Sequence, residues 1–134
     1  MNLEKIADYL RGIRQDPEFI SPGVLVAVPF EDTGPETRVE ITQPEFTSLC
    51  PKTGLPDYGT IHIRYRPNRL IVELKSLKYY FLQYRNTGIF YERLTPLILT
   101  HLSNLLHPRE MIVTAEFTSR GGITSRVVST LPST

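Results

Sequence analysis

The sequence predicts an α+β domain, an antiparallel four-stranded sheet with two helices on one face, in the order ββααββ. Three observations lead there. Apolar and polar residues alternate strictly from Ile61 to Arg66, the apolar period lengthens to a helical one between Leu77 and Leu105, and two strand-like runs follow Pro108 on either side of Gly121-Gly122. A chain of 134 residues with 40% hydrophobic and 22% charged residues suits a single core, so a second domain is not expected.

Leu3, Ile6, Ala7, Leu10 and Ile13 recur at helical spacing and predict a short peripheral helix over about residues 2–14. Pro17, Pro22, Gly23, Pro29, Gly34 and Pro35 then interrupt regular structure, which predicts a loose arm with Val24 to Val28 as a short extended piece. The expected organisation is an N-terminal helix and arm over residues 1–36 and the folded domain over 37–134. Arg38 to Ile41 reads as a strand leading to a loop around Cys50.

Ile61, Ile63 and Tyr65 fall on one face of the next strand, with His62, Arg64 and Arg66 on the other. Pro67-Asn68 signals a turn, so Leu70 to Leu74 is expected to close an antiparallel hairpin with it. Ser76 suits the cap of a helix whose stripe is Leu77, Tyr80, Phe81 and Tyr84, ended by Asn86 to Gly88. Thr95-Pro96 is expected to open a second helix, with Leu97, Ile98, His101, Leu102 and Leu105 on one side and Pro108 as its stop. Strands over Glu110 to Phe117 and Ile123 to Ser129 flank a tight hairpin connection, Ser119-Arg120-Gly121-Gly122. Such a sheet has two open edges, and their unpaired backbone groups predict association into a ring.

With 15 basic and 14 acidic side chains and a net charge of +1, the chain has no electrostatic footprint for nucleic acid or an anionic membrane. No apolar run approaches the roughly 20 residues of a membrane helix, and the N-terminus lacks a signal-peptide core, so a cytoplasmic location is expected.

The chemistry centres on Cys50, the single cysteine, in Glu45-Phe46-Thr47-Ser48-Leu49-Cys50-Pro51-Lys52-Thr53-Gly54-Leu55-Pro56-Asp57. One thiol makes neither an internal disulfide nor a multi-Cys zinc site, which leaves a packing atom or a nucleophile. A free thiol with a pKa of roughly 8.5 needs help to ionise near neutrality, and Lys52 is a nearby source of positive charge. Asp57 would move a proton while Cys50 bonds to an electrophile. A partly buried thiol beside a turn-forming Asp57 fits the same residues. His62, His101 and His107 show no motif and read as structural or surface residues, and no ligand spacing supports a metal.

Glu73-Leu74-Lys75-Ser76-Leu77-Lys78-Tyr79-Tyr80 runs from a strand end into a helix start, where Lys75, Ser76 and Lys78 suit a nucleotide phosphate or simply a capped, solvated helix. Glu92 follows the aromatic pair Phe90-Tyr91 and suits the amidine edge of a guanine-like heterocycle or the dipole of a helix. Arg120 suits either a phosphate or solvent.

These segments together resemble the QueF family, the NADPH-dependent 7-cyano-7-deazaguanine reductases of queuosine biosynthesis, in its short single-domain form. The resemblance spans about residues 38–129, with the Cys50–Asp57 loop and the Glu73–Tyr80 run as its most specific parts and Tyr84–Glu92 and Phe117–Gly122 as two more. It implies a tunnelling fold in which subunits join sheet edges into a homo-oligomer of two stacked five-membered rings, with active sites between subunits. It implies metal-free reduction of the nitrile to an aminomethyl group, with Cys50 forming a thioimide and Asp57 supplying a proton. By the same resemblance Glu92 anchors the deazaguanine with Tyr91 and Glu73 nearby, and Lys75, Ser76, Lys78 and Arg120 contact NADPH. Many relatives have histidine where this chain has Tyr91, and a phenol with a pKa of about 10 relays protons poorly near neutrality. A cyclohydrolase of the same fold, or a non-catalytic heterocycle binder, is the alternative.

Overall fold

The computed structural model describes residues 15–132, so the helix expected over residues 2–14 lies outside the described residues. Eight regular elements follow: β1 (Ala27–Pro29), β2 (Val39–Leu49), β3 (Pro56–Arg66), β4 (Leu70–Val72), α1 (Leu74–Leu82), α2 (Tyr91–Leu106), β5 (Glu110–Arg120) and β6 (Ile123–Leu131). The main sheet is antiparallel in the order β2-β3-β5-β6, and β1 with β4 forms a separate two-stranded sheet.

The alternation in β3 reaches further back than Ile61. Asp57, Gly59, Ile61, Ile63 and Tyr65 are all buried on the helix-covered face, while His62, Arg64 and Arg66 stay partly or fully accessible. Against that face pack Leu77, Tyr80, Phe81 and Tyr84 from α1 and the short 3₁₀ turn after it, and Leu94, Ile98, Leu102 and Leu106 from α2. The opposite face carries Glu40, His62, Arg64, Glu116 and Arg126, whose ion pairs (Arg64–Glu40 at 3.1 Å, Arg126–Glu116 at 3.2 Å) lie among exposed side chains. One face is dry and one is wet, the condition for a two-layer α+β unit.

Two extra residues set where the site forms. Between Gln43 and Phe46 the β2 register slips by one residue against β3, at Pro44, which has no N–H to give the ladder. Upstream of the slip Ile41 and Gln43 oppose Ile63 and Ile61; downstream Phe46 and Ser48 oppose Gly59 and Asp57. The bulge therefore moves even-numbered residues onto the core face, where Phe46 and Ser48 are buried. A second slip between Phe117 and Arg120 brings Arg120 to the edge of the same face, and Gly121-Gly122 closes the hairpin at φ 56° and 82°.

Four local expectations are corrected. Leu70–Val72 pairs with Ala27–Pro29 and not with β3, because the chain turns away after Arg66; the first strand pair of the ββααββ order is β2–β3. The arm is not loose where it is described, since Ile20 and Leu25 are buried in the core. The cap of α1 is Glu73, whose carboxylate accepts from Lys75 N–H at 2.8 Å and Ser76 N–H at 2.7 Å; the Ser76 hydroxyl instead donates to Glu73 O and accepts from Val26 N–H. Helix α2 starts at Tyr91, so Pro96 lies inside it and not at its first position. Thr95 Oγ1 donates to Tyr91 O at 2.8 Å in that first turn, and His107 ends the helix in the left-handed region at φ 45°.

Candidate active site

Cys50 ends β2 and begins a tight turn. Its N–H donates to Leu55 O at 2.9 Å, and Gly54 N–H donates to Cys50 O at 2.8 Å, with Gly54 at φ 72°. The turn folds Thr53 back onto the sulfur. Hydrogen bonding from the Thr53 hydroxyl lowers the thiol pKa most; burial raises it, the backbone N–H groups of Thr53 and Lys52 lower it further, and the Asp57 charge raises it. The thiolate is thus favoured by a turn's donors. Lys52 contributes through its amide, whereas the sequence suggested its ammonium.

Asp57 sits on β3 with 4% of its surface exposed. Arg120 Nη2 lies 2.6 Å from Asp57 Oδ1 as an ion pair, and the guanidinium directs an N–H to Pro56 O. Arg120 is therefore placed beside the acid. Tyr91 reaches the same spot from the first turn of α2 because the segment before it is tied to β2, Leu49 N–H donating to Thr87 O at 2.9 Å and Ile89 N–H to Leu49 O at 3.1 Å. Burial, then hydrogen bonding with the Asp57 carboxylate and its charge, push the Tyr91 phenol up to about 12. At neutral pH it is a donor and not a base.

The Tyr91 ring stacks on Phe117, with centroids 3.6 Å apart and planes 11° from parallel. Phe117 in turn lies over Gly59, its partner on β3: a Cβ there would stand 2.8 Å from the ring and 2.5 Å from Glu116 O. Gly59, Phe117, Tyr91 and Asp57 thus form one packed wall beside the thiol.

The fold gathers Cys50, Asp57, Tyr91 and Arg120. Glu92 is adjacent in α2 but exposed. Glu73, Lys75, Ser76 and Lys78 form a second group at the start of α1, where Ser76 is buried and its hydroxyl engaged. The Glu73 carboxylate occupies the amides that a phosphate would need, so any anion there meets side chains. Lys78 and Arg85 face a groove of about 270 Å³ bordered by Gln43, Glu45, Phe81 and Leu82, and Lys75 is exposed one turn before Lys78 in α1. His62 lies on the wet sheet face, His101 Nδ1 is 2.7 Å from Tyr80 OH, and His107 caps α2; among the described residues no three of His, Cys, Asp and Glu gather as metal ligands. The sequence reading missed Thr53 and Gly59. Gly59 was legible as the continuation of the Ile61–Tyr65 alternation toward Asp57.

A family model described as QueF-like protein matches residues 56–133. The chain belongs to the QueF-like family. Among curated relatives, the NADPH-dependent 7-cyano-7-deazaguanine reductase of Prosthecochloris aestuarii is 58% identical over 95 residues, covering 71% of this chain and 80% of the relative. The protein of that name from Chloroherpeton thalassium is 55% identical over 102 residues, covering 75% of this chain and 88% of the relative. The fold matches the crystal structure of the archaeosine synthase QueF-Like in the apo form, with a TM-score of 0.63 over 73% of this chain and 95% of that chain at 21% identity. The QueF-like core is the two-layer α+β unit described above, and no helix among its described residues is long and apolar enough to cross a membrane.

Proposed function

We propose that the chain reduces the nitrile of 7-cyano-7-deazaguanine to an aminomethyl group at the expense of NADPH. One observation carries the reading: a thiol whose ionisation is favoured by its own turn lies beside a buried carboxylate, in a chain whose relatives bear that activity in their names. Cys50 Sγ adds to the nitrile carbon, forming an S–C bond as one C–N π bond opens; the thiol proton passes through Asp57 to the nitrogen. The resulting thioimide tethers the substrate, so partly reduced material is not lost to hydrolysis. When bound, NADPH supplies the hydride equivalents, two per nitrile.

Cys50 must later leave as thiolate, and the Thr53 and Lys52 donors that favour that charge on addition favour it again on departure. Arg120 holds the Asp57 carboxylate in position through their ion pair. Lys75 and Lys78, with Arg85 beside them, hold the NADPH phosphates; Glu92 accepts from the amidine edge of the deazaguanine, with Glu73 lining the neighbourhood. Glu92 is exposed within one chain, which supports a pocket completed by a neighbouring subunit. The sheet ends in β2 and β6, and pairing of such edges would build the ring, within an organisation of residues 1–36 as arm and 37–134 as catalytic domain.

Incubation with 7-cyano-7-deazaguanine alone is expected to add one substrate mass to Cys50. Adding NADPH then discharges the adduct with two equivalents of dinucleotide oxidised per nitrile. A protein that shows neither adduct nor dinucleotide oxidation overturns the reading.

A further inference from the structure

Three buried side-chain atoms lack a hydrogen-bond partner among the described residues: Thr47 Oγ1, Ser48 Oγ and Asp57 Oδ1. Two of them belong to directly paired residues on one face of the sheet. Ser48 is the β2 residue paired directly with Asp57, is 0% exposed, and precedes Cys50 by two positions. Unpaired polar atoms are rare in protein interiors, and the Ser48 hydroxyl lacks even the ionic contact that Asp57 Oδ1 makes with Arg120. Thr53 Oγ1 is engaged by Leu55 N–H at 3.2 Å and by the thiol, and the Tyr91 phenol is a donor. The Ser48 hydroxyl is uncommitted.

We propose that Ser48 is a further substrate-contacting residue, its hydroxyl accepting a hydrogen bond from the substrate nitrogen once that nitrogen carries protons. The inference rests on the reductase reading and deepens it. A nitrile nitrogen has no N–H; after Cys50 adds and the thiol proton arrives it has one, and a second proton makes it a cation with two. In a site shielded from water each N–H requires an acceptor. Asp57 supplies one. Ser48 Oγ supplies the other. The unpaired hydroxyl finds its partner when the reacting group is in place, and the strand register holds it on the same sheet face as Asp57.

The test uses full-length protein with 7-cyano-7-deazaguanine and no NADPH, reading adduct occupancy on Cys50 by intact mass, with thermal unfolding measured alongside. Ser48→Ala is expected to weaken adduct formation roughly tenfold to a hundredfold, as loss of one hydrogen bond to a charged group would. The same variant should unfold at the wild-type temperature or above it, because it removes a hydroxyl that is unpaired in the free protein. Ser48→Thr, which keeps the hydroxyl, should retain most of the adduct. Ser48→Ala matching wild type in adduct occupancy overturns the proposal, as does a marked loss of its stability, which would mean the hydroxyl serves the fold. Equal loss in folded Ala and Thr variants assigns the effect to shape and also overturns it. A wild-type protein that forms no adduct removes the reductase reading and this inference together.

Discussion

Gly59→Ala tests the packed wall without touching a reacting atom. The added methyl carbon would stand 2.5 Å from Glu116 O, 2.8 Å from Phe117 Cδ1 and 3.1 Å from Cε1. The carbonyl belongs to strand β5, which is paired on both sides, so it cannot yield freely. The ring can move only by leaving its stack on Tyr91. Overpacking of this kind costs about 1–3 kcal/mol, and a lost aromatic stack about 0.5–1.5 kcal/mol. Alanine recovers about 0.5–1 kcal/mol because it gives up less backbone entropy than glycine. The net is near 2 kcal/mol of destabilisation, which for a chain of this size lowers the unfolding temperature by about 6–10 °C. Circular dichroism melts read that directly. Because Tyr91 loses the ring that holds it in place beside Asp57, the adduct rate at 25 °C should also fall, in protein that is still folded. A melt and an adduct rate both equal to wild type would refute the account of the wall.

Other consequences are testable in the same preparations. Thr53→Val removes the hydroxyl that most lowers the Cys50 thiol pKa, so the midpoint of iodoacetamide alkylation should move to higher pH; an unmoved midpoint takes Thr53 out of the site. Lys75→Ala with Lys78→Ala should raise the KM for NADPH roughly tenfold or more while leaving the cofactor-free adduct intact. If the KM is unchanged, the dinucleotide lies elsewhere. Glu92→Ala should weaken binding of the heterocycle by about 1–3 kcal/mol in calorimetry, since buried donors lose their acceptor, and unaltered affinity would move that role to another residue. His101 has its pKa lowered by burial, so the unfolded chain binds the proton more readily, and stability should fall as pH drops from about 6.5 toward the folded value. His101→Gln, which keeps an acceptor for Tyr80, should flatten that part of the melting-temperature profile; an unchanged slope assigns the pH dependence to other groups.

Periodicity alone was enough to specify the kinds of element and their order, because burial of one face imposes a two-residue repeat on Ile61, Ile63 and Tyr65 and a longer repeat on Leu97, Ile98, Leu102 and Leu105. Side-chain chemistry likewise singled out Cys50 and Asp57, since few residue types form and break bonds to carbon. The partner of Leu70–Val72 was not legible: a turn signal shows that the chain reverses but not which strand it meets. Nor was the true start of α2, because a proline in a helix's second turn looks like a proline at its beginning.

Which side chains meet was decided by the assembled sheet. A residue's face in a strand depends on parity, and parity is reset wherever one strand carries an extra residue against its neighbour. The slip at Gln43–Phe46 turns Ser48 toward Asp57, and the slip at Phe117–Arg120 brings Arg120 onto the same carboxylate. Both depend on how neighbouring strands register against each other, the second across a tight hairpin, and residue type alone does not report that register.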